Sequence, residues 1–394
     1  MGNEEAAIMN QAIWDIGDVA DYSSKVQSGI DNLIDITDAD IVVGGSPKDS
    51  VFTVDKVTLY KYRAITGAED SQQEPILITY SLFGRYSMLD LQTDRSVVRN
   101  LLLKGHTVYI VDWGNPNKSD RWLSYDDYVG RYLSDCVDHI CGAYNLEKIS
   151  IFGVCEGGTF AACYAALNPD KVGSLILAVT PVDFHADQAS PEPAKRGYLS
   201  AMMQKLGRQQ LSDMIDAYGC LPGHLSGAVF REMTLMDSLK KYGVDLVDSV
   251  SGTKESALNF LRMEKWLLDR PHHPAEAAKQ WLIDFYHENK LVQGTFEVNG
   301  EAILLQNLCM PVLNIFAKHD HIVPPAASKA LRDQVPSDCH YSELELRAGH
   351  IGAFVSRNAN AAISEAISNW IPALTRAPAS TATSQAHSLD QRSA

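Results

Sequence analysis

A chain of 394 residues with 45% apolar and 21% charged side chains can build one large elaborated α/β domain, or two ordinary domains, around a full-sized core. Its formal net charge of −15 argues against non-specific binding to nucleic acid or anionic membranes, while leaving room for a local basic pocket and an anionic small substrate. No run of about 18 apolar residues occurs, so no transmembrane helix is expected.

The opening MGNEEAAIMN has neither the basic nor the apolar region of a secretory signal, and Ala6 stands where a myristoylation site needs Ser or Thr. Seven cysteines (Cys136, Cys141, Cys155, Cys163, Cys220, Cys309 and Cys339) are scattered with no C-x-x-C pair. That usage predicts a cytoplasmic protein with reduced, mostly buried thiols.

Residues 8–34 carry Ile8, Ile13, Ile16, Val19, Tyr22, Val26, Ile30 and Leu33 at near-helical spacing. They predict an amphipathic N-terminal helix packed on the domain, within a lead-in over 1–45. From Val57 come three short apolar or alternating runs, VTLYKYR, PILITYSLF and TVYIVDWGN, each bounded by turn residues as strands are. QTDRSVVRNLLLKG, between the second and third, has helical spacing and ends on Gly105. LSYDDYVGRYLSDCVDHICGAYN reads as a helix, KISIFGVCEGG as a strand running into a turn, TFAACYAALNPD as a helix and GSLILAVTPVDF as a strand. Such alternation predicts an α/β fold with a mostly parallel sheet and helices on both faces.

The alternation stops near Val182. Residues 183–300 are mostly helical in pattern, as in ESALNFLRMEKWLLD and AEAAKQWLIDFYHEN. It resumes in MPVLNIFAKHD, HYSELELRAGH and NANAAISEAISNWIPAL. The economical reading is an α/β-hydrolase-type core over 46–182 and 301–374, with a helical cap over 183–300 inserted above the carboxyl edge of the sheet, where open α/β folds bind ligands. The polar tail 375–394, rich in Ala, Ser and Thr, reads as disordered.

Gly153-Val154-Cys155-Glu156-Gly157 has the spacing of a nucleophile elbow, with cysteine where serine usually stands. Such a turn strains the nucleophile's backbone, and glycines let strand and helix approach. A thiol at a helix start is favoured as thiolate by the helix N–H groups. The N–H of Glu156 would supply half of an oxyanion hole, and the loop near Leu82 and Phe83 the other half. The triad partners follow in the order this fold requires: Asp320 after the strand VLNIFAK, then His350 after SELEL. His319 and His321 flank Asp320, but nothing completes a metal set, so no metal is expected. His272 and His273, among prolines, receive no role.

Sulfur shapes the chemistry. A thiolate attacking an oxygen ester is handicapped because it leaves more readily than the alkoxide, whereas against a thioester the leaving groups are matched. His350 would take the thiol proton, and Asp320 would either orient it or activate a hydroxyl acceptor. Acyl transfer from an acyl-CoA to a hydroxyl therefore fits better than ester hydrolysis.

Over about residues 20–372 the chain resembles class III polyhydroxyalkanoate synthases, the short, two-component kind. The resemblance rests on SPKDSVFTVDKVTLYKYR, DLQTDRSVVRNLL, VYIVDWGNP, LNPDKVGSLILAVTPVDF, NFLRMEKWLLD, VLNIFAKHDHIVPP and GHIGAFVS, besides the elbow. It implies the α/β-hydrolase fold and a Cys155–Asp320–His350 triad, with Asp320 mainly activating the 3-hydroxyl and His321 matching a family histidine. It further implies an acyltransferase that polymerises (R)-3-hydroxyacyl-CoA, such as 3-hydroxybutyryl-CoA, into polyester esterified to the thiol. CoA arrives on the substrate and leaves as product, so no cofactor is expected.

The same resemblance implies a homodimer, a second synthase subunit of PhaE type, and a place at the surface of cytoplasmic storage granules. A cysteine-dependent polyester depolymerase or thioesterase on this fold is the alternative. Glu156 departs from the uncharged residue of the relatives; its side chain is expected to point to solvent, since only its backbone N–H is needed.

Overall fold

The apolar runs pair into one eight-stranded sheet in a computed structural model that describes residues 16–65, 74–188, 196–233, 247 and 250–376. Its strands are β1 (Lys48–Val54), β2 (Val57–Tyr62), β3 (Ile76–Thr79), β4 (Val108–Asp112), β5 (Ile149–Val154), β6 (Val172–Ala178), β7 (Val312–Ala317) and β8 (Tyr341–Leu346). They lie in the order β1-β2-β4-β3-β5-β6-β7-β8. β2 is antiparallel to both neighbours, and every pairing from β4 onward is parallel. The edge strand β1, outside the strands expected from Val57 onward, has no residue fully buried, and its sequence lacks the apolar run that marks an inner strand.

Successive residues of the inner strands point to opposite faces, and each face has its own core. On one side Leu77, Val111, Ile151 and Leu175 pack with Phe160 and Tyr164 of the helix Glu156–Leu167. On the other, Ile78, Ile110, Phe152 and Ile176 pack with Leu101 of the helix Val97–Leu103 and with Ile363 and Ile367 of the helix Arg357–Arg376. Each such buried side chain contributes about 1.5–3 kcal/mol through removal from water. Burial on both faces explains why ISIFGV in β5, the strand that leads into the Cys155 turn, is apolar but for Ser150, whose hydroxyl accepts from Ser174 Oγ at 2.8 Å.

Several boundaries differ from the sequence expectation. The N-terminal helix is described over Ile16–Ile34; residues 8–15 lie outside the described residues. It is fastened by Ser28 Oγ donating to the Ser251 carbonyl and Asn32 Nδ2 to that of Val250, both at 2.8 Å. The stretch around 123–145, expected as one helix, is a wider-turned π-helix over Asp126–Leu133 followed by an α-helix over Ser134–Tyr144. The last helix continues to Arg376, two residues into the segment expected to be disordered, and 377–394 lie outside the described residues.

Between β6 and β7 the described residues include the helices Tyr198–Met203, Arg208–Tyr218, Gly223–Met233 and Lys254–Leu268. A short antiparallel pair, Cys220–Leu221 with His273–Pro274, ties two parts of this segment together.

Candidate active site

β5 ends at Val154 and the helix Glu156–Leu167 starts two residues later, so Cys155 alone must turn the chain. It does so at φ 55°, ψ −125°, a strained conformation for a residue with a Cβ. The glycines around it permit the packing: a Cβ on Gly153 would come within 2.5 Å of the Gly158 Cα, and one on Gly157 would strike the Thr79 carbonyl. The Cys155 N–H donates to the Ala178 carbonyl at 3.0 Å, fixing the turn to β6. An α-helix leaves its first N–H groups without intrahelical partners, and that of Glu156 is one of them, beside the sulfur.

Asp320 and His350 follow the carboxyl ends of β7 and β8 and meet each other there. His350 Nδ1–H donates to Asp320 Oδ2 at 2.7 Å, while Asp320 Oδ1 accepts the N–H groups of Ile322 (2.9 Å) and Val323 (2.8 Å). With Nδ1 committed to Asp320, Nε2 is the ring nitrogen left for Cys155, whose electrostatic influence His350 feels. Burial opposes charge on this imidazole, but the Asp320 carboxylate, its hydrogen bond and the neighbouring Cys155 outweigh it, raising His350 from 6.5 to about 10. The arrangement therefore favours an imidazolium poised between a carboxylate and a sulfur. Asp320 and His350, 30 residues apart in sequence, are thus in direct contact, and His350 lies within electrostatic reach of Cys155.

His321, next to Asp320, is half-buried; its carbonyl accepts the Tyr198 N–H at 3.0 Å and its Nε2 has no hydrogen-bond partner. His319 is exposed. Among the described residues, no group of three or more His, Cys, Asp or Glu could hold a metal ion.

Two expectations fail. The Glu156 side chain does not reach solvent; it is fully buried. Its Oε2 accepts from Ser81 Oγ and from the Leu82 N–H, each at 2.9 Å, and its Oε1 lies 2.7 Å from His273 Nε2. A buried carboxylate needs such partners, and the loop after β3 supplies them. Consequently the Leu82 N–H is not presented toward a substrate, and the Phe83 N–H donates to Ser81 Oγ at 3.0 Å. Neither serves as the second oxyanion donor in this arrangement. His273, given no role from sequence, is 1% exposed and lies against Phe83, with ring centroids 4.7 Å apart. Its position beside another His among prolines held no local signal for a partner 117 residues away.

Cys155 opens onto a cavity of about 320 Å³ walled by Leu199, Met202, Met203, Leu225, Val229, Phe230, Trp281 and Tyr286, with Ile322 and Val323 on the triad side. Most of this wall comes from residues 199–232 and 281–286, so the segment inserted between β6 and β7 makes the greasy side of the site.

The mostly parallel sheet and the sharp strand-to-helix turn at Cys155 are those of the α/β-hydrolase fold, and residues 74–356 match the family model described as the alpha/beta hydrolase fold. A solved structure of a provisionally assigned lipase from Sulfolobus solfataricus aligns with a TM-score of 0.51 at 15% identity, covering 83% of this chain and 93% of its own. The poly(3-hydroxyalkanoate) polymerase subunit PhaC of Synechocystis sp. is 41% identical over 352 residues, 89% of this chain and 91% of that relative. The subunit of the same name from Allochromatium vinosum is 38% identical over 354 residues, 90% of this chain and 96% of the relative. The chain belongs to this family of poly(3-hydroxyalkanoate) polymerase PhaC subunits. Among the described residues no helix is long and apolar enough to cross a membrane.

Proposed function

We propose that this chain is the catalytic subunit of a poly(3-hydroxyalkanoate) polymerase that moves a 3-hydroxyacyl group from CoA to Cys155 and then to the hydroxyl end of a growing polyester. The observation that carries the reading is the His350–Asp320 hydrogen bond beside the strained Cys155, which opens onto an apolar cavity.

The Cys155 sulfur attacks the thioester carbonyl, and the N–H of Glu156 faces the developing oxyanion. As the tetrahedral adduct collapses, the C–S bond to CoA breaks and His350 Nε2–H protonates the departing thiolate. The imidazole, now neutral, takes the proton from the acceptor hydroxyl, whose oxygen displaces Cys155 and forms the ester. Asp320 has both oxygens engaged and its side chain is wholly buried, which favours orienting His350 over direct contact with the acceptor. The apolar wall suits a polyester of short repeating units and excludes the water that would hydrolyse the acyl-enzyme. The inserted helical segment then acts as a cap over the site. Monomers of the 3-hydroxybutyryl size, a homodimer, a second subunit and attachment to a storage granule complete the proposal on the strength of family membership.

Incubation with (R)-3-hydroxybutyryl-CoA, alone and with a candidate second subunit, is expected to release CoA and deposit polymer. Release of CoA with free 3-hydroxybutyrate as the sole acyl product would overturn the reading in favour of a thioesterase.

A further inference from the structure

An ionised acid directly after the nucleophile would oppose thiolate formation at Cys155, yet the chain places Glu156 there and buries it completely. Its contacts resolve the conflict. His273 Nδ1 faces the Pro274 carbonyl at 3.3 Å, and a carbonyl can only accept, so Nδ1 carries a proton. His273 Nε2 faces Glu156 Oε1 at 2.7 Å, which requires one proton between them. Glu156 Oε2 takes its hydrogen bonds from Ser81 Oγ–H and the Leu82 N–H; Ser81 Oγ in turn accepts from the Phe83 N–H, so its own hydrogen goes to Glu156. An imidazole and a carboxylate that hold two protons between them carry no net charge, whether written as imidazolium–carboxylate or as imidazole–carboxylic acid.

We infer that Glu156 and His273 form a buried, net-neutral proton-sharing pair that hides the acid from Cys155 and, through Ser81 and Leu82, holds the loop after β3 against the nucleophile turn. Both are positioning residues, acting on Cys155 without touching the reacting atoms through their side chains. The remaining titratable groups around the pair do not supply a competing charge. The phenols of Tyr125, Tyr128 and Tyr286 are raised well above their usual range, chiefly by burial, and stay neutral. Arg270 donates to the Phe83 carbonyl at 2.9 Å and lies over the rings of Trp266 and Phe230, making no contact with the acid. The pair also joins three parts of the chain: Glu156 from the helix after β5, Ser81 and Leu82 from the loop after β3, and His273 from the segment inserted between β6 and β7.

The inference rests on Cys155 being the nucleophile, but its test needs no substrate. The pH profile of iodoacetamide alkylation at Cys155 is followed by peptide mass spectrometry, which separates it from the exposed Cys309. His273→Gln removes the proton-sharing partner while three hydrogen-bond donors, which favour a carboxylate, still face Glu156; that charge then has no counter-charge near Cys155, so the midpoint is expected to move up by about one pH unit. Adding Glu156→Gln on top removes the charge and brings the profile back toward that of the native chain. Glu156→Gln alone moves it less than His273→Gln does.

A His273→Gln profile superimposed on the native one overturns the inference, as does a double variant shifted as far as the single. A large downward shift on Glu156→Gln alone also overturns it, because the native acid would then be an uncompensated charge, and this arm decides even where His273→Gln does not fold. Failure of native Cys155 to accept an acyl group from 3-hydroxybutyryl-CoA would instead strike the proposed function, leaving the alkylation profiles to report on the pair.

Discussion

Asp320 Oδ2 receives the Nδ1–H of His350 at 2.7 Å, and Asp320 Oδ1 is held by the amides of Ile322 and Val323. The carboxylate is thus fully used in fixing which nitrogen of His350 faces Cys155. Asp320→Asn preserves the shape but can present an N–H to Nδ1, favouring the wrong tautomer, and steady-state CoA release should fall roughly 1,000-fold or more. Rapid-quench measurement of the first stoichiometric CoA release should show the same loss. A first turnover at native speed, followed by slow turnover, would instead assign Asp320 to the acceptor hydroxyl.

The pH dependence of stability follows from the same contact. Burial disfavours the His350 imidazolium, but Asp320 and Cys155 more than reverse this and raise it from 6.5 in the unfolded chain to about 10. A raised value means that the imidazolium stabilises the fold fully below about pH 6.5, with the contribution fading as pH rises through about 10. The Tm difference between the native chain and His350→Gln should accordingly be widest at or below pH 6.5 and shrink toward pH 10. A constant difference across that range would contradict the assignment.

The nucleophile turn depends on close approach as well as on strain. A Cβ on Gly158 would overlap the Oγ1, Cβ and Cγ2 of Thr180. Alanine gains roughly 1 kcal/mol over glycine in a helix, whereas overpacking a filled site costs about 1–3 kcal/mol. The overlap here is deep, so the steric effect should win, and Gly158→Ala should lower the urea midpoint. Thr180→Ala removes two of the three clashing atoms and should restore part of the loss; a stabilised Gly158→Ala would show that the helix has room to shift.

The elements most legible in the sequence are those whose signal is local. ISIFGV advertises a doubly buried strand, and Cys155, Asp320 and His350 each follow a strand in the order the fold imposes, the last of them the alternating edge strand YSELEL. What stayed hidden depends on partners distant in sequence. Glu156 next to a nucleophile reads as a solvent-facing charge until His273, from 117 residues away, is placed against it. The amide of Leu82 reads as an oxyanion donor until the same carboxylate claims it. The π-helical turns over Asp126–Leu133 and Gln280–Phe285 have apolar spacing close enough to an α-helix to pass for one, and tertiary packing of Tyr125, Tyr128, Phe160 and Phe285 accompanies the difference.

The most direct measurement of the central claim is the mass of the Cys155 peptide after brief reaction with stoichiometric (R)-3-hydroxybutyryl-CoA. The account predicts a hydroxybutyryl adduct on Cys155, labile to hydroxylamine as a thioester is, and neither adduct nor CoA release from Cys155→Ala. CoA release that persists in Cys155→Ala, or an acyl group found on another residue, would contradict it.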